Sequence, residues 1–499
     1  MGAIVLRDQT LPPCDRSPNS DRLMKRAALL LLVLLSRLAP AQERDVVVTG
    51  GWLFTSTSND RIRNPGILVR AGKILRVGGD LSVAAADAQR VQLADTETVV
   101  PGLFDLHAHY AMDLFNAGRK DETIAYPPLF LANGVTSTFP AGEMDPNAMR
   151  DLRIRIENGQ VPGPRLLNSG PYFGTARPNW DRNITREQIY AEVDHWVELG
   201  VKGFKAKGIT PDQLKALIER AHFHGLTVTG HLDSGNRNSV NPRDAILMGI
   251  DRIEHFMGGD AFTPDKSAYA SYEHMTFDTP EFKRIAALYK EHHTYFDATL
   301  STYGYYGTKD PDMLDYYTDE RRFLTPYMRA KLDARPPRPV NVQFGNIYLT
   351  KRKEIKAFYD AGGVDLMTLG TDHPSWGQWF TPFAADREML AYSVSGIPNA
   401  AVLRIATINS ARAMGLGDRL GTIEAGKWAD LVVVRGNPLA DIRRMRLPRV
   451  VIKAGRVYDP AELMKSAEGK IGPASDADTA AWAPTPRAPR GPAGRTPPL

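Results

Sequence analysis

The chain has 499 residues, with 43% hydrophobic and 24% charged side chains, a composition that excludes wholesale disorder, collagen and coiled coil. At about 100–200 residues per domain, the length points to one large domain plus something smaller, and the lone Cys14 excludes a disulfide scaffold and a Cys-based zinc cluster. The net charge of +5 falls to +2 when the first 41 residues are set aside, because these hold six Lys/Arg against three Asp/Glu, so no nucleic-acid partner is implied.

Lys25-Arg26 precede an unbroken apolar run, Ala27 to Leu35, followed by Ala39-Pro40-Ala41. A basic segment, a short apolar core and an A-x-A site predict a secretory signal peptide in residues 1–41, cleaved after Ala41, with Met24 as the candidate start. The run is shorter than the roughly 20 apolar residues a bilayer span needs, and no Cys follows it to take a lipid. The expected location is periplasmic or secreted, with no stable membrane anchor after processing.

Residues 45–100 read as β-rich, with runs such as Val46–Thr49, Gly66–Val69 and Ile74–Val77 separated by Gly-containing turns. Matching runs recur near the other end, at Leu431–Val434, Val450–Lys453 and Gly455–Tyr458. Two such segments flanking one long middle region predict a small β-sandwich built from both termini, residues 42–100 and 416–465. Residues 466–499 are rich in Pro, Ala and Gly, with seven prolines from Pro473 onward, and are expected to be a disordered tail.

Between them, residues 101–415 alternate strand and helix. Candidate strands are Leu103–Leu106, Thr136–Phe139, Arg165–Asn168, Val201–Lys205, Thr227–Thr229, Asp251–Glu254, Thr294–Ala298 and Leu366–Gly370. Helical patterns include Thr185–Leu199, with Thr185 as N-cap, and Pro211–His224, with Gly225 just past its end. Eight parallel strands with intervening helices close most simply into a (β/α)8 TIM barrel, so the expected class is α/β. A doubly wound open sheet is the rival, but no G-x-G-x-x-G follows the first strand.

The chemistry gathers at strand ends. In Asp105-Leu106-His107-Ala108-His109 the alternation of a strand turns both His the same way, and at the C-terminal end of a barrel strand that way is the mouth. Two neutral imidazoles at this spacing can bind one metal. His231, His255 and Asp372 end the fifth, sixth and eighth candidate strands. The remaining His residues, including His195, His222 and His224 in helical patterns and His274, His292 and His293 in loops or helix ends, read as solvated.

On these residues the chain resembles the amidohydrolase superfamily, near its imidazolonepropionase-like and prolidase-like secreted members. The resemblance is carried by Val100–His109, Gly370-Thr371-Asp372, and the stretch from Ala406–Ala413 through Gly426–Val433, and it extends over the expected mature chain except the tail. It implies a metal-dependent hydrolase with two divalent ions, Zn²⁺ being the best fit to N and O ligands. His107, His109 and Asp372 would hold one ion, and His231 and His255 the other. The fourth-strand Lys of binuclear members is carboxylated by carbon dioxide and bridges the metals; Lys205 fits that position, with Lys207 as the fallback. Asp372 is then the expected catalytic acid–base, serving a metal-bridging hydroxide. Mononuclear deaminases of the superfamily lack that Lys and carry a His-x-x-Glu pattern absent from His222-Phe223-His224-Gly225.

The substrate implied is small, a dipeptide or an N-acyl amino acid, and homo-oligomerisation stays open. Candidate substrate-binding residues are Tyr172, Arg177, Arg237 and His373, with Phe173, Trp376, Trp379 and Phe380 as aromatics on mouth loops. Alternatives are an esterase, lactonase or phosphotriesterase on the same two-metal site, or a non-catalytic relative used for binding.

Overall fold

A computed structural model describes residues 44–113, 119–308, 320–334, 339–374, 383–446 and 448–480. The chain divides into two units, Met1–Arg44 and Asp45–Leu499. The expected signal peptide, Cys14, Met24, Trp376, Trp379 and Phe380 lie outside the described residues. Among the described residues no helix is long and apolar enough to cross a membrane.

The architecture is mixed α/β. The first seven strands are β1 (Val46–Thr49), β2 (Trp52–Leu53), β3 (Ile62–Arg63), β4 (Ile67–Arg70), β5 (Lys73–Val77), β6 (Gln89–Gln92) and β7 (Glu97–Pro101). Four of them form a sheet in the order β5-β4-β1-β6. The next, β8 (Leu103–Ala108), begins a parallel system with β11 (Val135–Pro140) and β12 (Arg165–Leu166), after the hairpin β9 (Ala111–Asp113) and β10 (Arg119–Asp121). A second parallel group runs β13 (Tyr172–Phe173), β14 (Gly203–Lys207), β15 (Thr227–His231), β16 (Arg252–Glu254), β17 (Tyr295–Asp297) and β18 (Met367–Thr368), each paired with the next. The last strands, β19 (Leu431–Arg435), β20 (Val450–Lys453) and β21 (Arg456–Tyr458), return to the N-terminal strands in a six-stranded sheet, β21-β20-β19-β7-β2-β3.

The two ends of the unit meet where β19 runs antiparallel to β7, Leu431 opposite Pro101 and Arg435 opposite Glu97. Alternation along these strands explains their unbroken apolar sequence. Val99, Leu431, Val433 and Ile452 share a core with Val46, Val48, Ile67 and Val69 of the other sheet. Their neighbours Val100, Val432, Val434 and Val451 belong instead to the large core of the parallel system. A sheet buried on both faces requires apolar residues at every position rather than every second one.

Helices follow the parallel strands. Arg186–Glu198 starts at Thr185, whose side chain accepts from the Gln188 amide while the Gln188 side chain reaches back, a capping box. Pro211–Phe223 has the same device between Thr210 and Gln213, with Pro at its first position, and Gly225 beyond it adopts the left-handed φ of +67°. The strand expected at Val201–Lys205 lies two residues later, at Gly203–Lys207, so both Lys205 and Lys207 are in it.

Two parallel groups are joined by backbone hydrogen bonds. Leu106 N donates to Leu369 O at 2.8 Å and Asp372 N to His107 O at 2.8 Å, linking β8 to the β18 segment. Lys202 N donates to Asn168 O at 2.7 Å, linking the β12 segment to β14.

The disordered tail expected from residue 466 is corrected at its start. A helix spans Pro460–Ala467, a short one Asp476–Ala480, and Ile471 between them is fully buried. Ile471 N donates to Phe323 O and its carbonyl accepts from Thr325 N, both at 2.8 Å. Leu463, Ala467 and Ile471 recur every four residues and bury in the large core, a pattern that the Pro and Gly content around it masks. The same helix packs on Tyr126–Ala132 of the parallel system rather than on the terminal sheets. Ile471→Ala is expected to destabilise the fold by about 2–5 kcal/mol in chemical unfolding; a midpoint equal to that of the wild type would mean this segment adds nothing to the core.

Candidate metal centre

The first of the parallel strands supplies the base of the site. Asp105 and His107 share one face of β8, His109 directly follows the strand, and all three are buried. Asp105 Oδ1 accepts from His107 N at 3.1 Å and Thr371 N at 3.2 Å, and its Oδ2 accepts from Thr371 Oγ1 at 2.7 Å. This carboxylate ties the end of β8 to Gly370-Thr371-Asp372, and burial pushes its pKa up to about 7. Gly370 has no alternative residue, because a Cβ there would collide with the Asp297 carboxylate.

Asp372 is thereby brought over the imidazoles. Its Oδ1 lies 2.8 Å from His109 Nε2 and 3.4 Å from His107 Nε2. Asp372 adopts φ +57°, a left-handed conformation that Asp tolerates better than most residues and that is concentrated at functional sites. His255 and Thr299 are left-handed as well, at +67° and +50°.

The second half of the cluster comes from β14, β15 and β16. Lys205 is 1% exposed, with Nζ hydrogen-bonded to the Glu254 carboxylate and 3.3 Å from His107 Nε2. The His231 and His255 rings are 4.2 Å apart between centroids, and those of His107 and His255 5.0 Å. Nδ1 of His255 is engaged by Thr299 Oγ1 at 2.7 Å. Its Nε2, and Nδ1 of His107, are buried without a hydrogen-bond partner, although His107 Nδ1 lies 3.5 Å from Glu254 and 3.7 Å from Asp297. A buried polar atom left unpaired costs about 1–3 kcal/mol, so such atoms converging in one place call for a ligand.

Burial disfavours the charged forms of the buried imidazoles and of Lys205. It holds His107 and His255 well below the usual imidazole range, reinforced by Lys205 beside His107 and by His231 beside His255. His231 is held low by burial and by Lys207 and Lys205, and the Lys205 ammonium is disfavoured by its own burial and by Lys207. Neutral imidazoles are the form that binds a cation. Two sets of donor atoms lie within 4.8 Å of one another: His107, His109 and Asp372, and His107, Glu254 and His255. The described side chains therefore fit a metal ion, and Glu254 joins the residues the sequence singled out. His231 stands beside His255 but in neither set.

The candidate substrate residues fare differently. Tyr172 is paired in register with Lys205, and its ring covers Gly142. His373 is fully buried directly after Asp372, and its carbonyl accepts from His109 N at 2.7 Å. Arg177 is committed elsewhere: it pairs with Glu192, one contact at 3.1 Å, and stacks on Trp180 at 4.9 Å. Arg237 is exposed in the Asn236–Asn238 turn, with φ +54°. Besides Glu254, sequence reading passed over Asp297 and Arg252, both buried, with Arg252 Nη1 donating to Leu106 O at 2.7 Å. Glu254 directly precedes a strand-end His, and a carboxylate beside a ligand was the available signal.

The sequence profile of the Amidohydrolase family matches residues 98–458. The chain belongs to this family. Among curated relatives, it is 26% identical over 212 residues to an enamidase of Eubacterium barkeri, covering 39% of this chain and 51% of that protein. It is also 37% identical over 105 residues to a 5-methylthioadenosine/S-adenosylhomocysteine deaminase of Moorella thermoacetica, covering 20% and 23%. The chain thus aligns with about half of the first and a quarter of the second. Among solved structures, a Xaa-Pro dipeptidase with bound methionine superimposes with a TM-score of 0.59 at 20% identity, over 83% of this chain and 100% of that one. The family match and this superposition agree on the fold.

The electrostatics make a direct prediction for the metal-free protein. In an imidazole NMR titration, His107 and His255 should stay neutral at pH 6, below the ordinary pKa of about 6.5. The surface residue His222, raised by its hydrogen bond to Asp251, should already be charged there. Titration of His107 or His255 at or above 6.5 would contradict the burial argument.

Proposed function

We propose that this chain is an exported, metal-dependent hydrolase that cleaves the amide or peptide bond of a small substrate such as a dipeptide or an N-acyl amino acid. The observation that carries the reading is the convergence of His107, His109, Asp372, Lys205 and His255 from β8, β14, β16 and the segment after β18, with two imidazole nitrogens unpaired. The family membership and the likeness to the Xaa-Pro dipeptidase fold support it. Export rests on the signal-peptide pattern of residues 1–41. The cross-links between the two parallel groups support a closed (β/α)8 barrel, and the core shared by the two terminal sheets supports a β-sandwich.

In this reading His107, His109 and Asp372 would hold one divalent ion and His231 and His255 a second, with the carboxylated form of Lys205 as an oxygen donor to both; N and O donors suit Zn²⁺. Such ions, when bound, lower the pKa of a water ligand toward about 7 and polarise a carbonyl. The side chains supply the rest. Lys205, with its ammonium disfavoured, offers a free amine whose lone pair can add to carbon dioxide, forming an N–C bond and releasing a proton. The product replaces a cation by an anionic oxygen donor, which a site for two dications requires. Asp372, at 13% side-chain exposure against 2% for His107, is the carboxylate that reaches the open side, where it can take a proton from the attacking water and return it to the leaving amine.

The ion pair of Lys205 with Glu254 favours a second reading, in which Lys205 remains an ammonium and a single ion sits at His107, His109 and Asp372. Metal analysis with and without bicarbonate, run beside hydrolysis of N-acyl amino acids and dipeptides, separates the two. The first reading predicts about two ions per chain, activity lost in Lys205→Ala, and kcat lowered by about 10²-fold or more in Asp372→Asn. One ion per chain, with activity indifferent to Lys205, would favour the second.

A further inference from the structure

The helix Val342–Phe358, between β17 and β18, carries two charged side chains into the core, Lys351 and Glu354, both fully buried. Neither belongs to a motif noted in the sequence. Lys351 Nζ donates to the backbone carbonyl of His255. Three aromatic rings surround the ammonium: Phe256 at 4.6 Å, Tyr303 at 4.8 Å and Tyr272 at 5.4 Å from the ring centres. An ammonium taken wholly out of water is costly, and burial pushes the pKa of Glu354, three residues further on, up to about 7 while the charge of Lys351 opposes that rise. A simple packing position would have been filled by Leu or Met at less expense in solvation.

What the ammonium grips is the strained turn of the metal centre. His255 sits at φ +67°, in the left-handed region. Its amide donates to Asp297 O at 2.8 Å, its Nδ1 is held by Thr299 Oγ1 at 2.7 Å, and its carbonyl is held by Lys351. Three of its four polar groups are thus fixed, and the fourth, Nε2, is the buried atom without a hydrogen-bond partner.

We propose that Lys351 is a positioning residue: by clamping the His255 carbonyl inside an aromatic box it keeps His255 in its left-handed turn and presents Nε2 as a ligand to the second metal ion. The inference rests on the two-metal reading given above. Without the clamp the peptide between His255 and Phe256 keeps only the bond from Phe256 N to Glu254 O at 2.8 Å, so its carbonyl can swing out of the strained conformation, and a ligand bond tolerates displacements of only about 0.2 Å. The first ion, held by His107, His109 and Asp372, has no ligand on this turn and is unaffected.

The test is competitive metal titration of the full protein in bicarbonate, with Zn²⁺ against a chelator, alongside the visible absorption of the Co²⁺-loaded form. Lys351→Met keeps an unbranched chain, one atom shorter, and removes the donor. It should bind the first ion as the wild type does and the second about 10- to 100-fold more weakly, the range for loss of a group that orients a ligand. The Co²⁺ absorption of the second ion should change with it, and Lys351→Gln, which can still donate to the carbonyl, should recover most of the affinity. Should Lys351→Met fail to fold with Glu354 left unpaired, the double variant Lys351→Met/Glu354→Gln removes both charges and should show the same selective loss. Folded variants that hold both ions with wild-type affinity, or lose both equally, would overturn the role of Lys351 alone. A wild-type protein that binds one ion would overturn the two-metal reading and this inference with it.

Discussion

Lys205 is 1% exposed, hydrogen-bonded to Glu254 and 3.3 Å from His107. That placement is the constraint on which the rest of the site turns. In water a lysine at neutral pH is a cation and repels metal. Taken out of water beside Lys207 and a ring of imidazoles, its charged form loses its advantage, as do the charged forms of His107 and His255. Desolvation, reinforced by neighbouring cations, thus favours neutral nitrogen donors, and the parallel strands bring residues distant in sequence to one place.

The scaffold holds that cluster through a few buried polar links. Asp105 ties β8 to Thr371, Arg252 reaches the carbonyl of Leu106, Thr299 orients His255, and Lys351 grips its carbonyl. None of these needs to touch a substrate. They fix the strand ends against one another, so that left-handed positions at Asp372 and His255 persist. The apolar layers beneath, on both faces of the sheet that joins the two ends of the chain, supply the rigidity such positions require.

Much of this was legible in the sequence because it follows from periodicity. The pairing of His107 with His109, the strand-end place of His255, the capped helices at Thr185 and Pro211, and the return of the C-terminal strands to β7 each came from alternation, capping or symmetry of pattern, whereas Asp372 lies four residues beyond the end of β18. The parts that were not legible depend on contacts between distant segments. Glu254 reads as an ordinary strand residue until β14 brings Lys205 against it. Lys351 lies on a helix whose inward face mixes polar and apolar residues, so only its depth in the core sets it apart. Arg177 looked like a carboxylate binder and turned out to be occupied by Glu192, fifteen residues further on, which no spacing rule would have linked to it. Ile471 was hidden by the composition of the residues after it.

In the proposed function the buried amine of Lys205 takes up carbon dioxide and serves two ions. The most direct measurement is ¹³C NMR of the metal-loaded protein prepared in ¹³C-bicarbonate. The account predicts a carbamate carbon signal that is present in the wild type and absent from Lys205→Ala. A metal-loaded, active protein without that signal, with Lys205 still paired to Glu254 as an ammonium, would contradict it.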